Sequence, residues 1–142
     1  MPSANGEIAA AASCGGRHQQ AERDWAFPDG KFLIVSEYGG TNAWSFMVNP
    51  DGTLWAGERY MELRAPVNRP DSGGDGMTVD QEGRPFITSH VGIQMFDATG
   101  RSGGGIAKPS DKACVSVAFA GPDRSRLYVL FLPSINHQPF IF

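Results

Sequence analysis

The sequence predicts an all-β fold made of propeller blades, small four-stranded antiparallel sheets stacked side by side. Three observations predict it. Turn formers are dense: 18 glycines and 10 prolines in 142 residues, with no collagen-like period, so the chain reverses often and its elements are short. Between the turns lie short runs of β-branched and aromatic residues, several of them alternating large with small. The pattern also repeats. Asp29-Gly30 recurs as Glu82-Gly83, 53 residues on, and Leu33-Ile34-Val35 recurs as Phe86-Ile87-Thr88 at the same offset. It recurs again as Leu127-Tyr128-Val129, 41 residues further. Repeats of this size, each holding several short strands, are blades that must stack to bury their faces. A β-sandwich shares the short strands, and the repeat favours the propeller.

Residues 1–23 read as a flexible leader, because Met1 to Gln20 is small, polar and aperiodic. Blade texture runs over residues 24–131. Phe27-Pro28-Asp29-Gly30-Lys31 is a turn in which Pro presets φ and Gly accepts a positive one. Phe32 to Val35 follows as strand, Tyr38 to Asn42 as turn, Ala43 to Val48 as a half-buried strand, and Asn49-Pro50-Asp51-Gly52 as turn. Thr53 to Trp55 leaves that turn, and a short strand near Tyr60 to Leu63 precedes a loop. The pattern restarts at Met77 to Val79, with strands over Pro85 to Thr88 and Gly92 to Asp97. It restarts a third time at Ser116 to Phe119, with Leu127 to Leu130 as strand. Residues 132–142 form an apolar tail that does not continue the blades.

Composition excludes several functions. The net charge is −3 and no basic run exists, so nucleic-acid binding has no electrostatic support. No apolar stretch is long enough to span a bilayer, and Met1 to Gly16 lacks the basic and apolar parts of a signal peptide. A soluble protein of cytoplasm or periplasm is expected. Cys14 and Cys114 are too few for a disulfide framework; Cys114 reads as a buried small hydrophobe.

Gly74-Asp75-Gly76-Met77-Thr78-Val79-Asp80-Gln81-Glu82-Gly83-Arg84 resembles the Asp-Gly-Met segment of the gluconolactonase and senescence-marker (regucalcin) family. Gly92 to Asp97 with Gly100 resembles the strand that follows it. Phe119 to Asp123 with Leu127 to Val129 resembles the next blade's opening, and Asp24-Trp25 with Phe27 to Lys31 the opening of the blade before. The resemblance implies part of a six-bladed β-propeller, about two to three blades. It implies a divalent metal, calcium in the first place, on the propeller axis, and hydrolysis of a sugar lactone to its acid. It assigns Asp75 as a metal ligand and as the catalytic general base. Where the family has an asparagine ligand in an Asn-Gly pair, this chain has Glu22-Arg23, and the early glutamate ligand has no counterpart. A complete propeller needs about twice this length, so a shortened or frame-disrupted relative is expected. A non-catalytic partial propeller is the alternative, and self-association through unpaired blade faces a further expectation.

Other features carry less. Ser89 and His90 are adjacent on a strand and point to opposite faces, so they cannot form a triad with Asp80 or Asp97. No metal spacing links His18, His90 and His137. Gly103-Gly104-Gly105 lacks the residues of a phosphate loop and reads as a plain turn. Trp25, Trp44 and Trp55 read as blade-packing residues. On its own, Asp75 would read as a turn residue capping its own backbone.

Overall fold

The turns explain the architecture, and a computed structural model places them. It describes residues 30–132 and the backbone of Ala21–Ala26. Most of the expected leader and tail, with Cys14, His18 and His137, lies outside the described residues, as does the side chain of Trp25. The same turn position recurs at 53 and then 41 residues, at Gly30, Gly83 and Arg124. All three have left-handed backbone, with φ of 67°, 77° and 52°. Glycine takes that conformation freely and Arg124 takes it at a cost. The Arg124 guanidinium reaches across to donate to the Val79 carbonyl at 3.1 Å.

Each such turn lies between the first two strands of a blade. β1 (Ala21–Ala26), β2 (Phe32–Glu37), β3 (Asn42–Val48) and β4 (Leu54–Glu62) form one four-stranded sheet in sequence order. β5 (Met77–Val79), β6 (Pro85–Ser89), β7 (Gly92–Phe96) and β8 (Ser102–Ala107) form a second in the same order. β9 (Ala113–Ala120) and β10 (Arg126–Leu132) pair as a third, two-stranded sheet. Neighbours are antiparallel throughout. The described residues are thus two blades and the first half of a third, an open arc of a propeller, as the repeat predicts.

Two cores lie between the blades. Ile34, Ala43, Met61 and Leu63 of the first blade and its exit pack on Met77, Ile87 and Phe96 of the second. Ile93 of the second packs with Cys114, Val117 and Phe131 of the third, with Phe86, Leu127 and Val129 alongside. Ile34 and Val35 are adjacent on β2, face opposite ways and are both buried; Ile34 packs in the first core. On β10, Tyr128, Leu130 and Leu132 alternate outward and are exposed.

Gln94, buried on β7, ties the blades by hydrogen bonds. Its Oε1 accepts from the Arg64 amide at 2.8 Å, and its Nε2 donates to the Arg64 carbonyl at 2.9 Å and to Ser89 Oγ at 3.0 Å. Replacing Gln94 with Leu strands those partners. Urea unfolding should show a loss of about 2 kcal/mol with an unchanged m-value.

Three strands depart from expectation. β1 reaches back to Ala21, a stretch with three charged residues and no apolar alternation. β4 is one strand rather than two short ones. Register shifts opposite Ala43–Met47 and a left-handed Ala56, φ 52°, break its alternation. The Gly103-Gly104-Gly105 run is not a turn: it lies within β8, paired to β7 with Gln94 opposite Gly105 and Met95 opposite Gly104. Glycine has low strand propensity, but a Cβ on Gly105 would lie 3.1 Å from the Ile93 carbonyl oxygen. Trp44 is half-buried under the Arg59 guanidinium, 5.6 Å from its ring. Trp55 is 52% exposed, so it does not pack a blade interior among the described residues; it stands just before the Ala56 bulge on the outer strand.

Aspartates close the hairpins. Asp51 Oδ1 accepts from Thr53 Oγ1 at 2.6 Å and Asp97 Oδ1 from Thr99 Oγ1 at 2.7 Å. Asp123 Oδ1 accepts from the Ser125 amide at 3.2 Å. Hydrogen bonds from the side chain two residues on, then from backbone amides, hold all three below the ordinary carboxylate range. At Asp80 desolvation raises the value, and hydrogen bonds from the Arg84 amide and guanidinium outweigh it. Each is lower in the folded state, so the stabilisation is present above the unfolded value, about pH 4, and is lost as pH falls through the folded one. The urea midpoint should therefore fall steadily below about pH 4, and Asp97→Asn with Asp123→Asn should flatten that limb.

Candidate functional site

Asp75 stands where the chain enters the innermost strand of the second blade. Ser72, Gly73, Gly74 and Gly76 are buried around it, Asp75 itself is half-buried, and the glycines answer to close neighbours. A Cβ on Gly73 would sit 2.4 Å from the His90 ring, and one on Gly76 would lie 2.6 Å from the Val115 carbonyl oxygen and 2.7 Å from Ser116 Cα. The backbone is pinned from three strands. The Asp75 amide donates to the Thr88 carbonyl at 3.1 Å, and the Asp75 carbonyl accepts from Ser36 Oγ at 3.0 Å. The Gly76 amide donates to the Val115 carbonyl at 3.0 Å. Asp75 is thus fixed by β2, β6 and β9, one strand from each blade. Its Oδ1 is shut off from solvent.

The sequence offsets of the internal repeat point to two further residues. Glu22 precedes Asp75 by 53 residues and Ser116 follows it by 41. Glu22 falls at the register shift of β1 between Ala21 and Arg23. Ser116 lies on β9, its Oγ 3.2 Å from where a Gly76 Cβ would be. Ser36 and Ser116 have no motif of their own in the sequence. The 41-residue offset would have found the second.

The rim of this end holds a separate cluster. His90 Nε2 lies 2.8 Å from Asp71 Oδ1 and Nδ1 lies 3.3 Å from Arg69 Nη1. Arginine only donates, so Nδ1 accepts and the Nε2 proton goes to Asp71. Tyr38 meets the ring edge-on, centroids 6.3 Å apart. Ser89 takes no part. It is buried, donates to the Gly92 carbonyl at 2.8 Å and accepts from Gln94. His90's acid is Asp71, while Asp80 and Asp97 cap turns. The Ser-His arrangement is therefore not a nucleophile and base.

Cys114 is buried, as expected. Desolvation pushes its thiol up to about 11; Lys108 opposes this and Asp75 adds to it, so the Asp75 charge is felt at the thiol. Among the described residues, no three His, Cys, Asp or Glu side chains gather as a metal site. The donors around Asp75 are oxygens, which suits a hard cation such as calcium in kind. Among the described residues they fall short in number of the six to eight oxygens calcium takes.

Residues 25–131 match the family described as SMP-30/Gluconolactonase/LRE-like region. No curated protein matches the chain by sequence. Among solved structures, a gluconolactonase of Xanthomonas campestris is similar at 25% identity and a TM-score of 0.66, covering 78% of this chain and 34% of its own. A luciferin-regenerating enzyme is similar at 19% identity and a TM-score of 0.67, over 78% of this chain and 37% of its own. A regucalcin of Agrobacterium tumefaciens, described as calcium-binding, is similar at 20% identity and 0.65, over 77% and 37%. The chain thus spans about a third of the length of these relatives. A family match over three-quarters of the chain, on two and a half blades of matching fold, means that this chain belongs to the SMP-30/gluconolactonase/LRE-like family.

Proposed function

We propose that Asp75 serves a site that hydrolyses a sugar lactone, holding a divalent cation and accepting the proton of the attacking water. The observation that carries the reading is its placement. One carboxylate stands at the mouth of an inner strand, on a backbone whose residues 75 and 76 are hydrogen-bonded to three blades, in the segment matched to a family whose solved members include a gluconolactonase. In the proposed step, water adds to the ring carbonyl while the Asp75 carboxylate takes its proton. The ring C–O bond then breaks, and the leaving oxygen takes a proton to give the open hydroxy acid. A calcium ion held by Asp75 would polarise that carbonyl. The hydrogen bonds from Ser36 Oγ to the Asp75 carbonyl and from the Asp75 amide to the Thr88 carbonyl hold its backbone in place.

The test is hydrolysis of gluconolactone by this chain with and without calcium, beside Asp75→Asn. The reading expects activity that needs both calcium and Asp75. Activity indifferent to both would contradict it. A folded chain with no activity would favour a non-catalytic partial propeller.

A further inference from the structure

Cys114 also lines a cleft. It lies between the second blade and the β9–β10 pair and has a volume of about 170 Å³. Ile93, Ile106, Val129, Phe131 and Cys114 line it, and among the described residues Lys108 is the one charged side chain on its wall. An apolar cavity of about 150 Å³ accepts benzene, so the space suits a ring or a chain of about six carbons. Among the described residues the lining offers no side-chain hydroxyl, amide or carboxylate, and a polyhydroxylated sugar would lose its hydrogen bonds to water there without replacement. The apolar body of the ligand is thereby fixed.

Its charge follows from Lys108. Among the described residues this ammonium has no ion pair, and it is half-buried at the cleft. Cys114 does not compete for it. Burial keeps the thiol protonated at neutral pH, so that wall is neutral and apolar. We propose that this cleft binds a small carboxylate with an apolar body, a short alkyl or aryl acid, with the carboxylate on Lys108 and the body against Ile93, Ile106 and Phe131. The inference stands apart from the lactonase reading and does not require it.

Hexanoate is a suitable probe, with hexan-1-ol as its uncharged counterpart. In methyl-labelled protein, hexanoate should shift the Ile93 and Ile106 methyl resonances saturably and slow alkylation of Cys114. Lys108→Gln should weaken hexanoate about fivefold, one charge-assisted contact, and leave hexan-1-ol unchanged. Ile106→Trp, at a partly exposed wall position, should abolish binding of both with resonance dispersion retained. No saturable shift at Ile93 and Ile106, equal affinity of Lys108→Gln and the parent for hexanoate, or undiminished binding in Ile106→Trp would each overturn the proposal.

Discussion

Gly76→Ala is expected to destabilise the protein by about 3 kcal/mol, the upper part of the range for a side chain forced into a packed site. The new Cβ would lie 2.6 Å from the Val115 carbonyl oxygen and 2.7 Å from Ser116 Cα. Both are backbone atoms of β9, so no flexible side chain can give way. To make room, the second and third blades must separate, which stretches the hydrogen bond from the Gly76 amide to Val115. The loss corresponds to a fall in melting temperature on the order of 10 °C. Gly74→Ala is the control. Its nearest contacts are Leu63 Cδ2 at 3.3 Å and Ser36 Cβ at 3.5 Å, side-chain atoms at near-ordinary distance. It should cost under about 1 kcal/mol. Equal losses in the two variants would show that the blades do not meet closely at Gly76.

Asp75→Asn is expected to cut lactone hydrolysis by about a thousandfold, mostly in kcat, because a positioned general base contributes on the order of 10² to 10⁴. Asparagine keeps the shape, and its backbone keeps the bonds to Thr88 and Ser36, so the fold should persist. It loses the charge and the ability to take a proton. A variant that keeps full activity would remove Asp75 from the chemistry.

How much of this was legible follows from what each residue shows in one dimension. The turn at Gly30 and Gly83 was readable because glycine announces a left-handed turn. Its third copy was readable as a turn from Gly121-Pro122-Asp123, but its left-handed position was not, because arginine occupies it at Arg124. β8 was missed because three glycines look like a turn, and the ladder with β7, not propensity, makes them a strand. β1 was missed because its six residues show no alternation. At the site, Asp75 stood out through its flanking glycines and the motif. The bonds from Ser36 and to Thr88 link residues far apart in sequence, and single hydroxyls carry no pattern. The pairing of His90 with Asp71 spans 19 residues and an irregular loop, so only the fold brings them together.

The most direct measurement is the thermal unfolding midpoint of the parent chain and of Asp75→Asn across a calcium titration. If Asp75 holds the cation, calcium at about one hundred times its dissociation constant should stabilise the parent by about 2.7 kcal/mol. The midpoint of Asp75→Asn should stay flat. An equal rise in both proteins, or none in the parent, would contradict the account.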